Sequence, residues 1–151
     1  MTGHRIGWVC GDRDIIKIFR TVKTNIDSGT PNFIQEGAIE ALSDETHVKT
    51  MNERYREKRD ILLSALKKMG LPIQIPSATF YIWQKVPRGE TSISWAKKLL
   101  ANNIAIVTTP GEWISDECDG INPGKNFIRF ALVPSMQEVK LATKKLGLLN
   151  V

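Results

Sequence analysis

The sequence predicts a mixed α/β chain: a compact two-layer α+β unit in the C-terminal half, preceded by one strand and helices that belong to the end of another domain. Three observations carry this. Apolar residues between positions 43 and 70 recur at a three-four rhythm over about 25 residues, close to 40 Å of helix. After Gly70 the texture changes to short strand patterns alternating with short helical ones. Before residue 43 there is one strand pattern, and one strand cannot make a sheet by itself.

Arg5 to Cys10 alternate as a short strand closed by Gly11 and Asp12, and Asp12 or Asp14 starts a helix with Ile15, Ile18, Phe19, Val22 and Ile26 on one face. DSGTP breaks it, and Pro31 suits the first turn of a second helix ending near Leu42. Ser43, Asp44 and Glu45 open the long helix, whose apolar positions are Val48, Met51, Tyr55, Leu62, Ala65, Leu66 and Met69. A helix this long, charged in the middle and apolar in its C-terminal half, suits a passage from one domain into another.

Next come Ile73-Gln-Ile75-Pro and TFYIWQKV, a strand bounded by Pro76 and Pro87. A short helix capped by Ser92 or Ser94 runs through Ala96, Leu99 and Leu100, and a strand covers Ile104 to Thr108. TPGEWISDECDGINPGKN is rich in turn formers and reads as a long functional loop. Asn126 to Val133 is a strand, and Ser135 with Glu138 forms a capping box for a last helix ending near Leu146.

Composition narrows the function classes. In 151 residues, 42% are hydrophobic and 25% charged, which fits neither disorder nor a low-complexity polymer. No apolar run reaches the roughly 18 residues of a membrane span, and MTGHRIGWVCG has no secretory pattern, so the expectation is a cytoplasmic protein without a membrane partner. Cys10 and Cys118 are far apart and read as free thiols; with His4 and His47 equally isolated, no metal site is expected. The net charge of +5 is spread over helix ends and over a Lys/Arg/Glu/Asp face between Glu53 and Asp60. No arginine stripe with interleaved aromatics appears, so nucleic acid is not expected as a partner.

Two arginines stand out. In NFIRFALV the alternation places Phe127, Arg129, Ala131 and Val133 on one face and Ile128, Phe130 and Leu132 on the other, which sets a guanidinium mid-strand among apolar neighbours. It needs an anion, either an internal Asp or Glu or the carboxylate of a ligand. Arg5 lies in TGHRIG between Gly3 and Gly7, where backbone can approach a ligand such as phosphate, or where the glycines simply make a turn.

Together these segments resemble the C-terminal portion of the fold-type I, pyridoxal-phosphate-dependent aminotransferases of class I/II. MTGHRIGWVCG is similar to the family's S-K-x-x-x-M-x-G-x-R-x-G, SATFYIW to the strand after its interdomain helix, TTPGEW to its proline-glycine turn and NFIRFAL to the strand bearing an arginine for the substrate carboxylate. The resemblance covers essentially the whole chain. It implies residues 1–42 as the tail of the large cofactor-binding domain, 43–70 as the interdomain helix and 71–151 as the small domain.

It also implies pyridoxal 5'-phosphate as cofactor, amino-acid and 2-oxo-acid substrates, and a homodimer or higher oligomer. Arg5 corresponds to the residue gripping the cofactor phosphate, Arg129 to the one gripping the substrate α-carboxylate, and Phe80 to an aromatic bordering the substrate pocket. His4 departs from the pattern, which usually has another aromatic there. The Schiff-base lysine is expected four residues upstream of Met1, so no residue of this chain is assigned as catalytic; Lys85, Lys97, Lys98 and Lys125 are exposed by context. NIDSGTPNFIQEGAIEAL and DGINPGKNFIRFAL look most like bacterial enzymes of lysine biosynthesis that transaminate diaminopimelate or its N-succinyl derivative. Aspartate, alanine and aromatic aminotransferases remain open, as does a non-catalytic folding or interaction fragment.

Overall fold

The structure, a computed structural model, describes residues 2–149. It divides into two compact units, residues 1–50 and 51–151.

The first unit is helical. Thr2–His4 form a 3-10 turn, followed by α1 (Arg13–Lys23) and α2 (Asn32–Ser43). Asp12 caps α1 by accepting from the amides of Asp14 at 2.9 Å and Ile15 at 3.3 Å, satisfying donors that have no partner within the helix. Pro31 occupies the N-cap of α2, one position before the expected first turn. The strand expected at Arg5 to Cys10 does not form. No other strand lies among the described residues of this unit, and an extended segment has nothing to pair its amides with.

Helix α3 (Thr46–Lys68) begins where Asp44 Oδ1 accepts from the Thr46 amide at 2.8 Å and crosses into the second unit. It stops before Gly70, whose φ of 78° is the left-handed conformation that ends helices. Its C-terminal half enters the core through Leu62, Leu63 and Leu66. Of these, Leu63 was not singled out by the helical spacing.

The second unit is a two-layer α+β structure. Strands β1 (Tyr81–Lys85), β2 (Thr109–Pro110) and β3 (Phe127–Ala131) form an antiparallel sheet in the order β1-β3-β2. Helices α4 (Ser92–Leu100) and α5 (Met136–Leu146) complete it. Alternation in β3 holds as expected: Ile128 and Phe130 are buried with Ile82 of β1 against Leu62, Leu66, Trp95, Leu99 and Leu146. Phe127, Arg129 and Ala131 take the other face with Tyr81 and Trp83.

Local chemistry corrects three expectations. Thr91, not Ser92 or Ser94, is the N-cap of α4; Ser94 is its capping-box partner, and Ser92 is buried with its hydroxyl on Glu112. The strand expected at Ile104 to Thr108 is displaced to Thr109–Pro110. Ala105 has a φ of 54°, and the Ile106 amide donates to Leu99 O at 2.8 Å, so the chain is tied to α4 until Thr109 meets β3. Strand β1 is shorter than expected, because Thr79 sits at a φ of 76° and extended pairing starts only beyond it. The Ser135–Glu138 capping box on α5 forms as expected.

Candidate active site

The site in the second unit is built on the open face of the sheet. Arg129 is the middle residue of β3, flanked by β1 and β2, with Trp83 opposite it on one side and Thr109 on the other. It is half-buried. Among the described residues no Asp or Glu lies within 4.0 Å of its guanidinium, and the ion pairs present are Lys23–Asp27, Arg59–Asp60 and Lys98–Glu90. Its polar contact is a long hydrogen bond, Nη2 to Thr109 Oγ1 at 3.4 Å, and its Cζ lies 4.3 Å from the centre of the Tyr81 ring. Of the two anions the sequence leaves open, the internal carboxylate is therefore missing. A guanidinium of this kind has donors to spare in the plane of its fork.

Phe80 stands next to this arginine's support. Its ring is tilted against Tyr81 with centroids 4.4 Å apart and stacks on Tyr55 of α3 at 5.8 Å, while 38% of the residue stays exposed. Trp83 and Phe127, on the same face, stack at 5.6 Å. The face thus sets Arg129 among aromatic rings, with the exposed Lys85 at its edge beside Phe127. Sequence reasoning missed Tyr81 and Thr109 as members of this group. The alternation in TFYIWQKV holds the signal for Tyr81, but the pairing register is needed to bring it beside Arg129.

Thr109 is held by the start of the long loop, which is less irregular than its composition suggests. It contains β2, a 3-10 turn at Gly111–Trp113 and a bridge between Cys118 and Ile121. Gly111 and Gly124 press together so closely that a Cβ on Gly111 would fall 2.4 Å from Gly124 O. Ser115 and Asn122 tie the loop across its base, with Ser115 Oγ 2.7 Å from Asn122 Oδ1.

Arg5, in the first unit, is exposed at a φ of 51°, with Nη1 3.5 Å from Thr2 O. A shallow concavity is lined by Thr2, Arg5, Ile6 and Gly7, and a Cβ on Gly3 or Gly7 would meet nothing within 4 Å. A guanidinium, a hydroxyl and uncrowded backbone form a donor set suited to a phosphate group. His4 closes the preceding 3-10 turn and is exposed.

Cys10 and Cys118 are free and exposed. Among the described residues no cluster of His, Cys, Asp or Glu is placed to hold a metal, and no helix is long and apolar enough to cross a membrane. Lys85, Lys97 and Lys125 are exposed, and Lys98 pairs with Glu90. The Lys98 ammonium, and after it the Ser94 hydroxyl, hold the Glu90 carboxyl below the usual carboxylate range.

The chain with this fold superposes on solved aminotransferases. An aminotransferase from Neisseria meningitidis Z2491 superposes with a TM-score of 0.88 at 31% identity, over 99% of this chain and 37% of that one. The family model for aminotransferase class I and II matches residues 1–146. The chain belongs to this pyridoxal-phosphate-dependent family. Its relatives include the LL-diaminopimelate aminotransferases of Moorella thermoacetica, 35% identical over 97% of this chain, and of Syntrophobacter fumaroxidans, 38% identical over 99%. The chain spans only 36% and 37% of the length of those two relatives.

Proposed function

We propose that these residues are the C-terminal part of a pyridoxal-phosphate-dependent aminotransferase that moves an amino group from diaminopimelate or its N-succinyl derivative to a 2-oxo acid, in lysine biosynthesis. The observation that carries this reading is Arg129: a mid-strand guanidinium on an aromatic face with no acid of its own. The names of the two curated relatives support the substrate class. Residues 1–42 are the end of the cofactor-binding domain, 43–70 the helix between domains and 71–151 the small domain, in a cytoplasmic enzyme.

In this reading Arg129 grips the substrate α-carboxylate at two points, which fixes the amino acid's orientation as well as its position. Phe80 borders the same pocket and excludes water from one side. Arg5, helped by the Thr2 hydroxyl, neutralises the cofactor phosphate and keeps it from drifting. When bound, pyridoxal phosphate supplies the electron sink that lets the α-proton leave carbon.

No lysine of this chain forms the covalent bond with the cofactor; that residue lies upstream of Met1. The expected result is that residues 1–151, incubated with pyridoxal phosphate and dialysed, keep no cofactor absorbance band for borohydride to abolish and transaminate nothing. A chain extended upstream to the length of its relatives retains it and consumes diaminopimelate with a 2-oxo acid. A band that survives dialysis, is abolished by borohydride and maps to one lysine within residues 1–151 would overturn the assignment, and so would an extended, loaded chain inert toward both diaminopimelate compounds.

The full protein is a homodimer or larger. Ile15, Ile18, Phe19 and Val22 form an exposed apolar stripe on α1, whereas Ile34 of α2 is half-buried. A stripe of this kind favours association between copies. Sedimentation of the 151-residue chain at micromolar concentration is expected to give dimers or larger species, and a clean monomer counts against this.

A further inference from the structure

An arginine in the middle of a strand is ordinarily held by an acid, yet an acid would compete with any carboxylate ligand for the same fork. Arg129 has an aromatic ring where that acid would be. The register explains how: Tyr81 pairs with Ala131 while Arg129 pairs with Trp83, so Tyr81 is the diagonal neighbour of Arg129 on the open face. Phe80 braces Tyr81, and Tyr55 braces Phe80, so three rings in series run from α3 to the guanidinium.

We propose that Tyr81 is the positioning residue for Arg129, holding the guanidinium by its ring face so that the charge stays in place without being neutralised. The proposal rests on the reading of Arg129 as a carboxylate-binding residue and adds what aims it. The negative face of an aromatic ring attracts a cation but carries no formal charge. Contact through the face also leaves the in-plane N–H donors of the fork available to a ligand.

The test is nitrogen-labelled NMR of the 151-residue chain, with succinate as the carboxylate probe and the Arg129 resonances assigned by their absence in Arg129→Lys. Side-chain protons of Arg129 are expected upfield of ordinary arginine positions, because they lie over the Tyr81 ring. Tyr81→Phe keeps that shift and binds succinate within about twofold of the parent chain, whereas a folded Tyr81→Leu chain loses the shift and binds about fivefold more weakly.

Ordinary arginine shifts in the parent chain overturn the proposal without any variant, so it stays decidable if Tyr81→Leu does not fold. A folded Tyr81→Leu chain that binds succinate as tightly as the parent overturns it too. A ring-dependent shift in a parent chain that does not bind succinate sinks the carboxylate reading of Arg129 and leaves its seat on Tyr81 standing.

Discussion

Arg129→Leu is expected to lower kcat/KM about 100- to 1000-fold in the full-length enzyme while leaving cofactor loading intact, the loss expected when a charged fork is taken from a carboxylate. Stability should respond quite differently. Arg129 has no acid partner among the described residues, so its removal strands no buried charge. What is lost is the contact with the Tyr81 ring and one long hydrogen bond to Thr109, and what is gained is an apolar side chain on a half-buried face. The denaturation free energy of the 151-residue chain should therefore change by no more than about 1 kcal/mol. A loss of about 3 to 5 kcal/mol would mean that Arg129 belongs to a buried ion pair, and its assignment to substrate would fall.

The largest effect on stability is expected from Gly111→Ala. The new methyl group would stand 2.4 Å from Gly124 O, 2.6 Å from Phe127 O and 2.9 Å from the Trp83 ring. Two of these are backbone atoms, which cannot swing aside as the end of a flexible side chain can. Gly124→Ala meets the same obstacle from the other side, at 2.3 Å from Gly111 O. Either the loop base separates, carrying β2 away from β3, or the strain is kept. Both cost about 3 kcal/mol, a fall in Tm of roughly 12 to 24 °C for a unit of this size. Gly7→Ala serves as the control, because its Cβ would meet nothing within 4 Å, and it should melt within about 0.5 kcal/mol of the parent. A Gly111→Ala chain that melts like the parent would show that the loop base is not packed as described.

Thr109 makes the second result bear on the first. It follows from β2 being only Thr109–Pro110 that the contact between Thr109 and Arg129 depends on Gly111, immediately after the strand, and on the Gly124 backbone it packs against. Damage at Gly111 should therefore also weaken carboxylate binding, although Gly111 has no side chain to offer a ligand.

Helices, and their caps apart from Thr91 before α4, were legible in the residues themselves, because a helix closes its hydrogen bonds within a few positions of sequence. Asp12 before α1, Asp44 before α3 and the Ser135–Glu138 box before α5 each act on an amide two or three residues away. The alternation of β3 was equally plain, since burial of Ile128 and Phe130 requires only that one face of the strand be covered. The resemblance carried by TGHRIG, SATFYIW, TTPGEW and NFIRFAL led to the family that the comparisons then established.

Strands elsewhere were a different matter, because a strand exists only where a distant segment offers matching donors and acceptors. Arg5 to Cys10 has the right alternation and no partner, while Ile104 to Thr108 has a possible partner in β3 but is tied to α4 by the Ile106 amide. The same dependence on long-range pairing governs the site. Sequence by itself determined that Arg129 needs an anion, since a guanidinium cannot shed its charge. Only the tertiary structure decided that, among the described residues, no acid approaches it and that Tyr81 lies against it instead, because cross-strand register, which no local residue pattern encodes, selects the neighbours on the face of a sheet.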